Sequence, residues 1–407
     1  MTVTVAFQRG LAGLSACGID GYQAASGLPQ AEDDGPIDRE IKQEIPYPES
    51  MTPELMDQWG DGIPAYAEAD PHAPEWKATP VIPLDLTADG YGEVYIKNEA
   101  DRLSNPTGTI KDRAAWELAT LCRDYARALY LKRRAGILTR HDLERMPIPR
   151  LSLITEGNEG AAVAVRFAMY NLPPPKILVG RAINPGILDA LLRLRADVYV
   201  TNLSRKLTPK LIKKICNNEN GIDLTSTRTI EPQAVFYDWH VHEVLNEAPD
   251  EVYVPFGSGR LMENYLYWIE RTLRNESEHR RDPRLTASVT SVISTHVFGA
   301  EPESYPSCAV KLAARCKPFR IFTDEDIDSF VKLAFVGNET GKYRVSDPLI
   351  EAAYALLTSH GIDAEKSAAA GLALYMQRFD AKRKQGLDPR RNKAMIVDTG
   401  MGLVEPS

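Results

Sequence analysis

Apolar residues along this chain of 407 residues fall into short extended runs that alternate with stretches of helical period. Strand-like runs lie at Glu93 to Lys97, Leu151 to Thr155, Lys176 to Val179, Asp197 to Thr201, Glu251 to Pro255, Ser288 to Phe298 and Ala394 to Asp398. Between them, Lys111 to Leu131 places Ala114, Leu118, Leu121, Cys122, Tyr125 and Leu129 on one helical face. Helical patterns also cover Ala161 to Tyr170, Val235 to Leu245 and Leu261 to about Leu273. Such alternation predicts an α/β protein with parallel-rich sheets covered on both sides by helices. Ligands in such folds gather beyond the carboxyl ends of the strands.

Two stretches break the pattern. Residues 1 to 76 are rich in prolines and acids and show little strand alternation, which predicts an extension that wraps the core or is partly loose. A short helical piece at Pro53 to Trp59 is placed to dock on the core or on a second subunit. The second stretch, Lys132 to Pro149, is basic and holds a helical pattern from Arg140 to Arg145, a candidate surface helix or lid.

Composition narrows the function. Hydrophobic residues make up 43% of the chain, as in an ordinary globular enzyme. A formal charge of -8 with dispersed cations argues against nucleic acid as the main partner, and the clusters at Lys132 to Arg134 and Lys382 to Lys384 read as solvated helix ends. No run approaches the roughly 18 apolar residues of a membrane helix. The amino terminus has only Arg9 before a short apolar run, unlike a secretory signal. Five scattered cysteines without a CxxC pair suit reduced thiols in the cytoplasm and offer no zinc site. His240 and His242 lie two apart in a helical pattern, on different faces, so structural roles are expected for them.

Four segments carry the chemistry. Asn105-Pro-Thr-Gly-Thr-Ile-Lys111-Asp-Arg113 sets a lysine at a loop-to-helix junction after the first strand. A lysine opening a helix is in general a solvated charge, but three other segments change its setting. Thr155-Glu156-Gly157-Asn158-Glu159-Gly160 is a tight loop between strand and helix. Gly257-Ser258-Gly259-Arg260 follows another strand, and its small residues let backbone amides converge on a phosphate at a helix start. Asp398-Thr399-Gly400-Met401-Gly402 presents a hydroxyl at a strand end beside two glycines.

Taken in order, these segments resemble the tryptophan synthase β-like, or fold type II, family of pyridoxal-phosphate enzymes, and most closely its threonine synthase branch. The resemblance spans about residues 77 to 405. It implies a two-lobed α/β enzyme with pyridoxal 5'-phosphate in the interlobe cleft. The expected parts are an extension at 1–76, a large lobe of 77–112 plus 231–407, and a small lobe of 113–230 carrying the Asn loop. Lys111 would hold the cofactor as a Schiff base and act as general base and acid. Asn158 would bond its phenolic oxygen, Gly257, Ser258, Gly259 and Arg260 its phosphate, and Thr399 its ring nitrogen. A homodimer acting on a small amino acid is implied as well.

The implied reaction is β- or γ-elimination or replacement on an amino acid with an activated side chain. A neutral hydroxyl at 399 cannot hold the ring nitrogen protonated as an aspartate would, which favours expulsion of a leaving group. The alternatives are a serine or threonine dehydratase type of deaminase, and a catalytically idle binding or regulatory subunit. Within the substrate loop of Thr155, Glu156, Gly157, Asn158 and Glu159, two glutamates replace the hydroxyl residues of the family. Two like charges about 4 Å apart repel by about 1 kcal/mol even in water. Three explanations are open: the glutamates point away, they read a cationic or hydroxylated substrate group, or the chain no longer processes amino acids. Arg260 also departs from the usual small residue, and either adds charge to the phosphate site or points to solvent.

Overall fold

The computed structural model describes residues 37–48, 50–59, 77–145, 148–155, 157–203, 209–218, 222–223, 237–266, 268–269, 295–304, 306–312 and 339–402. In chain order its strands are β1 (Arg39–Gln43), β2 (Ser50–Met51), β3 (Val81–Asp85), β4 (Glu93–Asn98), β5 (Ile148–Pro149), β6 (Leu151–Ile154), β7 (Lys176–Gly180) and β8 (Asp197–Thr201). There follow β9 (Ile222–Asp223), β10 (Glu251–Pro255), β11 (His296–Pro302), β12 (Gly341–Val345) and β13 (Ala394–Asp398).

These strands form two main sheets. In one, β8, β7, β6 and β9 run parallel in that spatial order, and β1 adds an antiparallel edge beside β8. In the other, ordered β12-β11-β10-β13-β4-β3, every pairing is parallel except that of β3 with β4. Strands β8, β10 and β13 are buried along their whole length, as expected where helices cover both faces of a parallel sheet. The α/β class predicted from periodicity is the class observed.

The helix at Lys111–Arg134 runs three residues beyond its predicted end; Ala114, Leu118, Cys122, Tyr125 and Leu129 are buried as expected, and the side chain of Leu121 lies outside the described residues. It packs beside the Asn158–Met169 helix in the larger apolar cluster. A second cluster lies between the six-stranded sheet and the helices Asp347–Ser359 and Lys366–Lys384. Of the predicted strand from Ser288, the described part begins at His296 and runs on to Pro302; residues 288–294 lie outside the described residues.

The extension contains more strand than its sequence suggested. In β1 only the two end residues are half-buried, and the exposed middle carries Glu40 and Lys42, so no period-2 pattern shows; edge strands are often charged in this way. The Pro53–Trp59 helix buries Met56 and pairs Asp57 with Arg133 and Glu54 with Arg140. The predicted surface helix forms at Arg140–Glu144, its first turn closed by a reciprocal Thr139–Asp142 capping box. After it, β5 pairs antiparallel with β2. Extension and insertion therefore dock on each other.

Candidate active site

The four segments singled out above follow the carboxyl ends of β4, β6, β10 and β13. In the six-stranded sheet β4 lies beside β13 and β13 beside β10, so the lysine loop, the threonine turn and the glycine turn emerge as neighbours. The loop from Asn105 to Ile110 is laced to the threonine turn. Ile110 N–H donates to the Thr399 carbonyl at 3.0 Å, and Met401 and Gly402 N–H both donate to the Gly108 carbonyl. At Gly400, where φ is +104°, an added Cβ would lie 2.2 Å from the Gly108 oxygen. Only glycine lets these two backbones approach so closely.

Lys111 opens its helix with its side chain about a quarter exposed. Its Nζ lies 3.2 Å from the Tyr237 hydroxyl and 3.9 Å from Glu159 Oε2. Burial works to lower the affinity of this amine for a proton, but Tyr237 and Glu159 outweigh it, and the ammonium is held above its ordinary range. Tyr237 is itself buried and fixed by its N–H to Asn264 Oδ1 at 2.8 Å.

The two departures noted in the motifs meet in space. Glu159 Oε1 accepts from Arg260 Nη1 at 2.9 Å, so the Asn loop and the glycine turn are joined by an ion pair beside Lys111. Burial would push the Glu159 carboxyl up; Arg260 and Lys111 together outweigh it and hold it below its usual range. Glu159 thus does not point away, and Arg260, with a side chain only 13% exposed, does not point to solvent. Glu156 lies outside the described residues.

Around them, Thr155 caps the Asn loop, its hydroxyl accepting from Gly157 and Gly160 N–H. Asn158 sits where a Cβ on Gly402 would come within 2.3 Å of its amide, and its Oδ1 accepts from Lys311 Nζ at 3.2 Å. Lys311 also pairs with Glu365, the residue before the Lys366–Lys384 helix. In the glycine turn, Gly259 has φ +89° with Phe256 against it, and a Cβ on Gly257 would meet Leu312 at 3.2 Å. Helical turns start at 260, leaving the turn's N–H groups at a helix start. Thr399 follows Asp398, whose buried carboxyl accepts from Gly400 N–H and is pushed up to about 8, chiefly by burial.

Beneath the lysine lies a buried polar network. Glu99 accepts from Arg113 Nε and Nη2, Asn105 Nδ2, Thr79 Oγ1 and His240 Nδ1, all within 2.7 to 2.9 Å. Arg113 reaches Glu243 as well, and Lys97 closes the far side. Burial holds His240 below its ordinary range, consistent with a neutral ring that donates through Nδ1 and accepts from Tyr265 at Nε2. The structural role expected of His240 is the one observed; His242, on another face, bonds Asn246. No group of three or more His, Cys, Asp or Glu among the described residues is arranged to hold a metal ion.

The donor set fits an aldehyde-bearing phosphate ester: an amine for the carbonyl, a glycine turn at a helix start for the phosphate, and an amide beside both. The family model described as "Pyridoxal-phosphate dependent enzyme" matches residues 73–399. This chain belongs to the pyridoxal-phosphate dependent enzyme family. It is an enzyme, and its cofactor is pyridoxal phosphate. No curated protein sequence matches it at a significant level. Similar solved structures include an L-serine ammonia-lyase from Rhizomucor miehei, at 15% identity and TM-score 0.52 over 81% of this chain and 95% of that one. Serine racemase from Dictyostelium discoideum is 17% identical with TM-score 0.52, over 81% and 94% of the two chains. An O-ureido-L-serine synthase is 15% identical with TM-score 0.51, over 79% and 89%. At such identity these likenesses establish the fold.

Sequence reasoning did not find Tyr237, Lys311 or Glu99. Glu365 directly precedes the Lys366–Lys384 helix, and that place was a usable signal. Tyr237 and Lys311 stand in no motif.

Proposed function

We propose that this pyridoxal-phosphate enzyme is a lyase or synthase performing β- or γ-elimination or replacement on an amino acid with an activated side chain, in the manner of a threonine synthase. The observation that supports it most is the convergence of Lys111, Asn158, the glycine turn and the threonine turn at the carboxyl ends of four strands. When bound, the cofactor supplies an electrophilic carbon and an electron-accepting ring that stabilises negative charge at the substrate α-carbon. Lys111 is the residue to hold it, Gly257, Ser258, Gly259 and Arg260 to receive its phosphate, Asn158 its phenolic oxygen and Thr399 its ring nitrogen.

In this reading Lys111, once released, takes the proton from the substrate α-carbon and returns one at the end of the cycle. Tyr237 orients the amine through its hydroxyl. Thr155, Glu156, Gly157, Asn158 and Glu159 line the substrate. Thr399 gives the ring nitrogen no anionic partner, and the adjacent Asp398, kept protonated by burial, adds none near neutral pH. Loss of a side-chain leaving group is then favoured over transamination. A small lobe of 113–230, a large lobe of 77–112 with 231–407, a homodimer and a cytoplasmic setting belong to the same reading; no helix among the described residues is long and apolar enough to cross a membrane.

The test is a visible-absorbance and product screen of the purified, cofactor-loaded protein against amino acids and their O-phosphorylated and O-acetylated derivatives. Release of phosphate or acetate with the amino group retained supports replacement, whereas ammonia with an oxo acid supports the deaminase. No spectral change with any amino acid sinks both and leaves a binding or regulatory subunit. Lys111→Ala must lose the visible band in a folded protein; a band that survives refutes the assignment of the lysine.

A further inference from the structure

Glu159 stands between two cations brought in by different parts of the fold. Its Oε1 is bonded to Arg260 at 2.9 Å and its Oε2 lies 3.9 Å from Lys111 Nζ, beyond hydrogen-bond distance. The three side chains are between 13% and 27% exposed, so solvent does not screen them fully. Among the described residues the charged and titratable groups set against the Lys111 amine are Tyr237, Glu159 and Arg260. Two oppose each other: Glu159 favours the ammonium, while Arg260 disfavours it directly and also occupies one oxygen of Glu159.

We propose that Arg260 is a positioning residue: by binding Glu159 it keeps that carboxylate from closing on Lys111, and so limits how tightly the amine holds its proton against reaction with a carbonyl. The reaction it governs is condensation. The unprotonated amine attacks the aldehyde carbon, a carbon–nitrogen double bond forms, and the carbonyl oxygen departs as water with both amine hydrogens. An ammonium has no lone pair for that attack. Without Arg260, Glu159 is free to swing from 3.9 Å to a contact of about 2.8 Å. At an effective dielectric of about 20 this approach raises the proton affinity of the amine roughly tenfold, and loss of the guanidinium charge acts in the same direction.

Arg260 and Glu159 are a hundred residues apart, and each alone looks like damage to its motif. Paired, each accounts for the other: an anion introduced beside the reactive lysine is matched by a cation introduced beside the phosphate turn. The inference deepens the proposed function and rests on Lys111 being the carbonyl-binding lysine.

The experiment follows the growth of visible absorbance when the full chain, stripped of cofactor with hydroxylamine, is mixed with pyridoxal phosphate across a range of pH. Wild type, Arg260→Ala, Glu159→Gln and the double variant are compared. Arg260→Ala is expected to move the inflection up by about one pH unit, so that capture below it is roughly tenfold slower. Glu159→Gln alone moves it down, and the double variant lies near or below wild type. Pyridoxal without its phosphate serves as a second probe, since a change in phosphate binding alone leaves its profile in place. An unmoved inflection in Arg260→Ala, or an upward shift that Glu159→Gln does not reverse, overturns the proposal. Should Arg260→Ala fail to fold by circular dichroism, Glu159→Gln decides, and an unmoved inflection there has the same force. A visible band persisting in Lys111→Ala instead refutes the lysine assignment beneath it.

Discussion

Replacing Glu99 with glutamine is expected to cost this enzyme about 3 kcal/mol of folding stability, although the two side chains have nearly the same shape. Glu99 is fully buried and accepts five hydrogen bonds from four residues: Thr79, Asn105, His240 and, twice, Arg113. An amide keeps one accepting oxygen and turns an N–H2 group toward Arg113 Nε and Asn105 Nδ2, both donors. Breaking one side of a buried ion pair costs about 3–5 kcal/mol. The lower figure applies because Arg113 keeps two contacts to Glu243, at 3.0 and 2.8 Å. A change of about 3 kcal/mol shrinks the folded-to-unfolded ratio by roughly a hundredfold. Urea unfolding of the cofactor-free chain measures it. A second signature lies in pH. Burial acts to raise the Glu99 carboxyl, but Arg113 and His240 overcome it and hold it far below its ordinary value. Its stabilisation is therefore complete above about pH 4.3, the unfolded value, and declines as pH falls further. Glu99→Gln must lose that acid-side dependence as well as the free energy. A loss under about 1 kcal/mol, or an unchanged acid limb, refutes the view that this carboxylate anchors the lysine loop.

Gly400→Ala sets a methyl group against the Gly108 carbonyl and strains a left-handed backbone, at about 1–3 kcal/mol for the strain alone; lowered thermal stability together with weaker cofactor retention is expected by absorbance. Asp398→Asn acts through pH in the opposite sense to Glu99. The folded-state value of Asp398 is raised to about 8, so its protonated form favours folding below about pH 4 and that benefit is lost as pH climbs to 8. The variant should gain stability over wild type by up to about 1.4 kcal/mol per pH unit across that window, as urea titrations at several pH values would reveal. Tyr237→Phe removes a group that favours the Lys111 ammonium, so the inflection for carbonyl capture should fall while far-ultraviolet dichroism stays constant.

The parallel strands and the motifs at their ends were legible because both rest on local patterns. Strands β8, β10 and β13 each hold three or four consecutive apolar residues, and the glycine and asparagine turns carry small residues wherever the backbone must bend tightly. What escaped notice depends on contacts between distant positions. Tyr237 precedes a helix without any motif, and only tertiary packing sets its hydroxyl at Lys111. The Glu159–Arg260 pair spans a hundred residues, so each partner read alone showed only a departure from its own motif. Strand β1 hid because its exposed edge carries charges where alternation would show. Arg113 stood in the lysine motif, but its partners Glu99 and Glu243 lay outside it.

By pairing with β8, the segment Arg39–Gln43 seals one rim of the five-stranded sheet, and the backbone N–H of Ile45 adds a bond to Asp197 at its base. Asp197 in turn holds Arg150 at the start of β6, the strand that delivers the Asn loop. A proteolytic nick that released this strap would bare a ladder of unsatisfied amides ready to recruit another chain. It would also unfasten the root of the Asn loop, so solubility and turnover should decay on one time course.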